Sequence, residues 1–223
     1  MNSKHTDKKY SQELKSLKEK ILKMGGRVEE MIAWSIEALV NRDSELAEKV
    51  ISTDHQVNRF EVEIDEDCLS LLALRQPIAS DLRFITTGLK IVTDLERIGD
   101  MAVNVAERVL ELNEEPQLKP YIDIPRMAQD IEKMIQDCLD AFVWSNFELA
   151  EDVCKRDDAI DDLYQQIFRE VLTFMMQDQT TIPRAMRVIF IAKYLERIAD
   201  HTTNIAEMVI FMVKGKDIRH LSS

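Results

Sequence analysis

Apolar residues recur at steps of three and four along most of the chain, which is the spacing of one face of an α-helix. The first such stretch covers residues 10–41, with apolar positions at Leu14, Leu17, Ile21, Met24, Val28, Ile32, Ile36 and Leu39. Gly25 and Gly26 lie inside it and predict a bend or a close contact with a neighbouring element. The pattern therefore predicts a long amphipathic first helix.

Turn signals divide the next part of the chain into two further helices. Asp43 is the expected N-cap of a second helix that runs to about Arg75. The third helix is predicted from near Pro77 to Asn113, because proline marks a helix boundary. The proline-rich segment 114–125 is then the expected linker.

Three more periodic stretches follow the linker, at about residues 124–144, 147–177 and 183–214. Ser145 and Glu148 have the spacing of a capping box for the fifth helix. The chain has 5 glycines and 5 prolines in 223 residues, so turns are scarce and long helices are favoured over many short strands.

The chain also repeats itself. LERIGDMAVNVAE at 95–107 returns as LERIADHTTNIAE at 195–207, and ALVNRDSELAEKV at 38–50 aligns with AFVWSNFELAEDV at 141–153. The two offsets differ by three residues, which we assign to the turn near Pro77 against residues 180–183. We predict an all-α fold of two pseudo-symmetric antiparallel three-helix bundles, residues 1–115 and 116–223, with helices about 45 Å long.

Charge and composition exclude several classes of function. A net charge of -12 disfavours binding to nucleic acid and docking on anionic lipid through a basic face. The polar N-terminal segment lacks the apolar core of a signal peptide, and no run is long enough to span a membrane. Three cysteines without CxxC spacing fit a reducing compartment. We therefore expect a cytoplasmic protein.

The repeated helix carries a polar stripe as well as an apolar face. At steps of about one turn it presents Glu96, Asp100, Asn104 and Glu107, and then again Glu196, Asp200, Asn204 and Glu207. Carboxylate and amide oxygens at this spacing suit hard or borderline cations. Mg, Mn, Fe and Zn all remain open as the metal.

A neighbouring helix of each bundle is expected to add further ligands. Asp54 and Asn58 are one turn apart on the second helix, and Asp157 and Asp161 occupy the aligned positions on the fifth. Such outward-facing groups would form open, partly hydrated metal sites. A solvated helix face is the alternative, although carboxylates at i, i+4 repel each other by a few tenths of a kcal/mol.

Enzyme chemistry finds less support in the sequence. No histidine follows a glutamate at the ExxH spacing of di-iron bundles, and no nucleophile elbow, phosphate loop or HExxH motif is present. His201 has Met101 as its counterpart in the first repeat, so we interpret it first as a surface residue and second as an optional ligand. A metal-dependent oxygen-chemistry enzyme and a metal-free structural bundle remain as alternative functions.

Five motifs together resemble the PhoU family, the phosphate-specific transport accessory proteins of bacteria: MGGRVEEMI, RQPIASDLR, LERIGD, LERIAD and VKGKDIRH. The resemblance implies the paired three-helix bundles and a non-enzymatic cytoplasmic regulator. Such a regulator links the phosphate ABC transporter to a sensor histidine kinase, represses the phosphate-starvation regulon when phosphate is plentiful and restrains uptake. The implied partners are the transporter ATPase PstB and the kinase PhoR, with membrane association only through partners.

The family's metal motif, Glu or Asp followed four residues later by Asp, implies a ligand role for matching positions. The matches are Glu96–Asp100, Glu196–Asp200 and Asp157–Asp161. Asp54–Asn58 departs from the motif, which lowers the charge of the first site and predicts weaker metal binding there. We expect a homodimer or a higher oligomer. Direct binding of phosphate is not expected, because no basic or glycine-rich anion nest is visible.

Overall fold

Helices make up nearly all of the structure, a computed structural model that describes the backbone of residues 3–215 and the side chains of residues 8–215. The helices are α1 Ser3–Asn41, α2 Ser44–Arg75, α3 Ala79–Asn113, α4 Asp123–Trp144, α5 Phe147–Gln177 and α6 Ile182–Lys214. A 3₁₀ turn, Gln179–Thr181, precedes α6, and residues 3–215 contain no strand. The all-α prediction is confirmed.

The helix ends agree with the sequence pattern except at two places. The first helix begins at Ser3 rather than at residue 10. Asp43 caps α2 as predicted, because its side chain accepts a hydrogen bond from the Leu46 N–H at 3.0 Å.

The capping box predicted at Ser145 is wrong by one residue. Ser145 ends α4 in the left-handed conformation, with φ 52°. Asn146 then takes the extended conformation that an N-cap needs, and its side chain accepts a hydrogen bond from the Leu149 N–H at 3.1 Å. The left-handed end of α4 therefore moves the cap from the serine to the asparagine.

The six helices form two bundles that share a core. Helices α1, α2 and α3 pack on one another, as do α4, α5 and α6, and the bundles meet through α3 against α6 and α1 against α4. One continuous cluster of buried apolar side chains runs through both bundles. The two pseudo-symmetric three-helix bundles are confirmed, while their status as separable domains, 1–115 and 116–223, stays a prediction.

The change of offset between the repeats lies in the turn where it was expected. Residues 76–78 separate α2 from α3, whereas Asp178 alone separates α5 from the 3₁₀ turn. With the offset of 100, that 3₁₀ turn aligns with the first turn of α3. The three additional residues therefore belong to the loop of the first bundle.

Polar and close contacts hold the two bundles together. His201 on α6 lies 2.8 Å from Asp94 on α3, Nδ1 to Oδ1, and the two side chains are 11% and 13% exposed. The interpretation of His201 as a surface residue was wrong, because α3 covers it. A Cβ on Gly25 would lie 2.3 Å from Leu139 Cδ1 on α4, so the predicted close contact exists there, whereas a Cβ on Gly26 would meet nothing within 4 Å.

No helix in residues 3–215 combines the length and the apolar character needed to cross a membrane.

Candidate metal sites

The first acidic cluster, Asp54 and Glu61 on α2 with Glu96 and Asp100 on α3, lies where these two helices pack together. Burial raises the pKa of Glu96, and the charges of Asp100, Glu61 and Asp54 add to it, whereas Arg97 opposes it. Burial and then Asp54 raise the pKa of Asp100. The stripe thus lies at the edge of the contact between α2 and α3, with Glu96 half-buried and Asp100 exposed, and its carboxylates repel one another.

Glu61 is the fourth carboxylate of this cluster. Burial raises its pKa, and the charges of Asp65 and Asp100 add to that shift. Glu61 was not among the ligands predicted from the sequence. Its position gave a signal nonetheless, since residues 54, 58 and 61 follow one another at steps of four and three on α2.

The two asparagines of the first bundle make local hydrogen bonds. The Asn58 amide nitrogen donates to Asp54 Oδ2 at 2.9 Å, and the Asn104 amide nitrogen donates to the Asp100 backbone oxygen at 2.9 Å. Each amide nitrogen therefore faces an oxygen of its own helix, one turn earlier. Glu107, at the end of the stripe, is exposed and lies 3.4 Å from Arg108.

The second acidic cluster consists of Asp157 and Asp161 on α5 with Glu196 and Asp200 on α6. Burial, followed by the charge of Asp200, raises the pKa of Asp157 to about 6, against a smaller lowering by the Thr203 hydroxyl. Burial and then Glu196 raise the pKa of Asp161. The structure thus brings together the four carboxylates that the sequence assigned to this site, while Asn204 is exposed.

The second cluster holds a cation of its own. Lys193 Nζ lies 2.5 Å from Glu196 Oε1 and 5.3 Å from the centre of the Tyr164 ring. Burial lowers the pKa of Lys193, but the hydrogen bond and the charge of Glu196 outweigh it and raise the pKa overall. This ammonium group therefore stays charged and offsets part of the negative charge of the cluster.

The first cluster lacks this cation. The repeat aligns Lys193 with Thr93 and Tyr164 with Glu61. Thr93 donates its hydroxyl to the Leu89 backbone oxygen at 3.3 Å. Both clusters therefore have four carboxylates, because Glu61 makes up for the amide at Asn58, but the first has one ammonium group fewer. The arginines at 97 and 197 occur in both.

The two clusters contain buried oxygens without a partner, but they lack the grouping of ligands that usually holds a metal ion. Asp54 Oδ1 and Glu196 Oε2 are buried, and neither oxygen has a hydrogen-bond partner in the described part of the chain. Such buried oxygens need a cation, a proton or water as partner. Within residues 8–215, however, no three or more His, Cys, Asp or Glu side chains are arranged to hold a metal ion directly. A cation at either cluster would therefore have to keep most of its water ligands, as Mg²⁺ commonly does.

The fold and the clusters define a duplicated all-helical protein with one acidic surface on each repeat. The chain belongs to the PhoU family, because the model of the PhoU domain matches it twice, at residues 21–109 and 124–209.

Relatives and solved structures cover nearly the whole chain. It is 42% identical over 218 residues to the phosphate-specific transport system accessory protein PhoU homolog of Pseudomonas aeruginosa, covering 97% of this chain and 90% of that protein. It is 37% identical over 219 residues to the protein PhoU of Escherichia coli, covering 98% and 91%.

Crystal structures support the same assignment. PhoU from Pseudomonas aeruginosa superimposes with a TM-score of 0.89 at 42% identity, covering 93% of this chain and 100% of that one. The phosphate transport system regulatory protein PhoU from Streptococcus pneumoniae gives 0.87 at 33% identity, covering 93% and 98%.

Proposed function

We propose that this protein is an accessory protein of the phosphate-specific transport system and that it represses the phosphate-starvation response when phosphate is plentiful. One observation carries the proposal: two PhoU domains together span most of the chain, and its relatives are named phosphate-specific transport system accessory proteins. The protein acts without catalysis of its own, in the cytoplasm, as a regulator.

The proposed mechanism is that of an adaptor between two partners. The transporter ATPase PstB and the sensor kinase PhoR are the proposed partners, and contact with the membrane occurs through them. Two repeats with related surfaces can contact two proteins at once, and the shared core transmits a change in one bundle to the other. This supports signal transfer from transporter to kinase by a homodimer or a higher oligomer.

Divalent cations are the proposed ligands of the two acidic clusters. Asp54, Glu61, Glu96 and Asp100 would hold one ion, with the Asn58 and Asn104 side chains nearby, and Asp157, Asp161, Glu196 and Asp200 would hold another beside Asn204. A bound cation supplies positive charge that offsets the repulsion among the carboxylates. Fe, Zn, Mn and Mg all accept oxygen ligands, so residue type does not select among them.

The two sites are proposed to differ in affinity. The sequence predicted weaker metal binding at the first site because of Asn58 alone. Glu61 restores the missing carboxylate there, whereas Lys193 already compensates the second site. We therefore propose that the first cluster binds the cation more tightly.

Deletion of the gene tests the proposed function. In phosphate-rich medium, we expect a starvation-induced output such as alkaline phosphatase to switch on in the deletion strain. The wild-type gene supplied in trans should restore silence. An output that stays off in the deletion strain contradicts the proposal.

A four-residue variant, Glu96→Ala, Asp100→Ala, Glu196→Ala and Asp200→Ala, then tests the metal sites in the same strain. We expect it to bind less metal than the wild type and to restore silence incompletely. Equal metal uptake by the two proteins would favour the metal-free structural bundle. Turnover with bound iron and oxygen would favour the enzyme.

A further inference from the structure

A basic cleft opens beside the contact between the two bundles, between α1, the start of α3 and the ends of α4 and α6. Its volume is about 580 Å³, and its charged lining consists of Lys15, Lys18, Arg83 and one carboxylate, Asp81. The chain as a whole carries a net charge of -12. Three cationic side chains facing one carboxylate are therefore a local excess of positive charge on an acidic protein.

The carboxylate in the basic cleft already has hydrogen-bond partners. The Tyr10 hydroxyl donates to Asp81 Oδ2 at 3.0 Å, and the Ser80 hydroxyl lies 3.4 Å from Asp81 Oδ1. These hydrogen bonds hold the Asp81 side chain in place but leave its single negative charge. Three cations and one carboxylate therefore give the lining a net positive charge.

Two of the cations are held in place without being neutralised. Lys18 donates to the Val143 backbone oxygen at 3.3 Å and lies 5.0 Å from the centre of the Phe84 ring. Arg83 donates through Nε to the Met212 backbone oxygen at 3.1 Å. Neither forms an ion pair with a carboxylate of residues 8–215. These hydrogen bonds hold the two cationic side chains in place without neutralising their positive charges.

A neighbouring cleft shows the opposite arrangement. It has a volume of about 230 Å³ and is lined by two cations and two acids. Lys20 pairs with Asp67 at 2.5 Å, and Arg75 pairs with Glu13 at 2.7 Å. Each cation there has its own carboxylate, so this cleft is electrically balanced and serves as an internal control.

We propose that the basic cleft binds a small phosphate-bearing anion. Lys and Arg side chains are strong donors to phosphate oxygens, and the Ser145 hydroxyl lies at the same cleft. The apolar lining, which includes Leu14 and Val213, gives the cleft room for an organic group beside the phosphate. Its volume falls within the range of about 300–1,000 Å³ that is usual for small-molecule sites.

The choice of phosphate over other anions rests on the proposed function, whereas the charge of the basic cleft does not. This site was not predicted from the sequence, because Lys15 and Lys18 on α1 meet Arg83 on α3 only after folding. The phosphate has two plausible sources, the free inorganic ion and a nucleotide. Both present the same anionic oxygens to the cations, so binding experiments must separate them.

Equilibrium dialysis of the purified full chain against radiolabelled inorganic phosphate, and separately against AMP, tests the proposal at low ionic strength. Lys15→Glu is the main variant, because the Lys15 side chain is 78% exposed and its pair with Glu19 is long, 3.8 Å, so folding should not change. We expect saturable binding that Lys15→Glu weakens about tenfold. Adding Lys18→Gln should weaken it further.

The matched control is Lys20→Gln in the balanced cleft, where we expect less than about twofold change in binding. Circular dichroism and Tm check that each variant is folded. Tighter binding of AMP than of inorganic phosphate assigns the site to organic phosphates, and the reverse assigns it to the free ion. No saturable binding of either, or equal binding by the wild type and a folded Lys15→Glu variant, overturns the proposal.

The binding result can be separated from the proposed function. Loss of repression in the deletion strain tests the regulatory role without reference to the basic cleft. A protein that represses normally but binds neither probe would retain the proposed function and lose this inference.

Discussion

Lys193 differs from Thr93, its counterpart in the first repeat, by one positive charge inside an acidic cluster. A unit charge about 6 Å from a bound cation changes the interaction energy by on the order of 1–3 kcal/mol at an effective dielectric constant of about 20–40. An exchange of these two residues should therefore change cation affinity in opposite directions at the two sites.

Thr93→Lys should weaken Mn²⁺ binding at the first cluster about tenfold, and Lys193→Thr should strengthen it at the second by a similar factor. Each variant is measured by isothermal titration calorimetry with the other cluster removed, by Glu96→Gln and Asp100→Asn or by Glu196→Gln and Asp200→Asn. Unchanged affinity in both variants would mean that Lys193 does not compensate the second cluster.

Glu29 on α1 is a carboxyl group that the proposed sites do not use. Burial raises its pKa, and the charges of Glu132 and Asp140 on α4 add to it, while burial also raises the pKa of Glu132. A raised folded-state pKa means that the ionised form is disfavoured in the folded protein. Stability is therefore lost as pH rises from the unfolded-state pKa through the folded-state pKa.

Glu29→Gln should raise Tm at pH 8 by roughly 2–4 °C, which corresponds to about 1 kcal/mol after allowance for solvent screening. The difference from the wild type should shrink toward pH 4, where the native carboxyl is protonated. Thermal unfolding followed by circular dichroism gives both values, with the exposed Glu48→Gln as control. A difference of the same size at both pH values would show that charge is not its cause.

At the level of single residues, the sequence predicted all the clustered carboxylates except Glu61, but it did not predict their surroundings. The repeated motif located Glu96, Asp100, Glu196 and Asp200, because duplication is visible in a linear sequence. Lys193 was missed although it lies three residues before Glu196 on the same helix. Its contact with Tyr164 depends on the packing of α5 against α6. His201 was misassigned for the same reason, since its partner Asp94 lies on a helix of the other bundle.

Adjacent glycines in α1 have different roles in how the helices pack. Gly25 faces Leu139 on α4, where a Cβ would come within 2.3 Å of a side-chain carbon, whereas Gly26 faces open space. Alanine stabilises a helix by about 1 kcal/mol relative to glycine, and overpacking a core costs about 1–3 kcal/mol. The contact between α1 and α4 therefore favours glycine at position 25 but not at position 26.

Gly26→Ala should raise Tm by roughly 2–4 °C. The free energy of unfolding of Gly25→Ala should be lower than that of Gly26→Ala by about 1–3 kcal/mol. Urea unfolding of the two variants and the wild type gives these differences. Equal stabilisation by both substitutions would mean that Leu139 moves aside without cost and that the close approach is not needed.

The helices themselves were largely predictable, because their apolar periodicity is strong and their breaks contain proline or capping residues. The predictions were wrong at helix ends, where two neighbouring residues can each serve as the cap. Ser145 and Asn146 both suit an N-cap, and the left-handed end of α4 decides between them. The sequence could not show which helices of different bundles touch, since that depends on contacts between distant segments.

At the scale of the whole molecule, the continuous core should make unfolding cooperative. The bundles share buried side chains through α3 and α6, and Arg187 on α6 bonds to Glu111 at 2.7 Å and Glu115 at 3.0 Å. We expect one calorimetric transition whose van't Hoff and calorimetric enthalpies agree. Two transitions would show that residues 1–115 and 116–223 are independent domains, as the repeat alone suggests.

The pairing of two related bundles in one polypeptide has a further consequence. A symmetric dimer of identical three-helix subunits would carry the same side chain at both equivalent positions. Here the halves are joined covalently, so one can hold Thr93 and Met101 while the other holds Lys193 and His201. Duplication within a single gene thus frees each half to change alone, and a mutation in one half leaves the other intact.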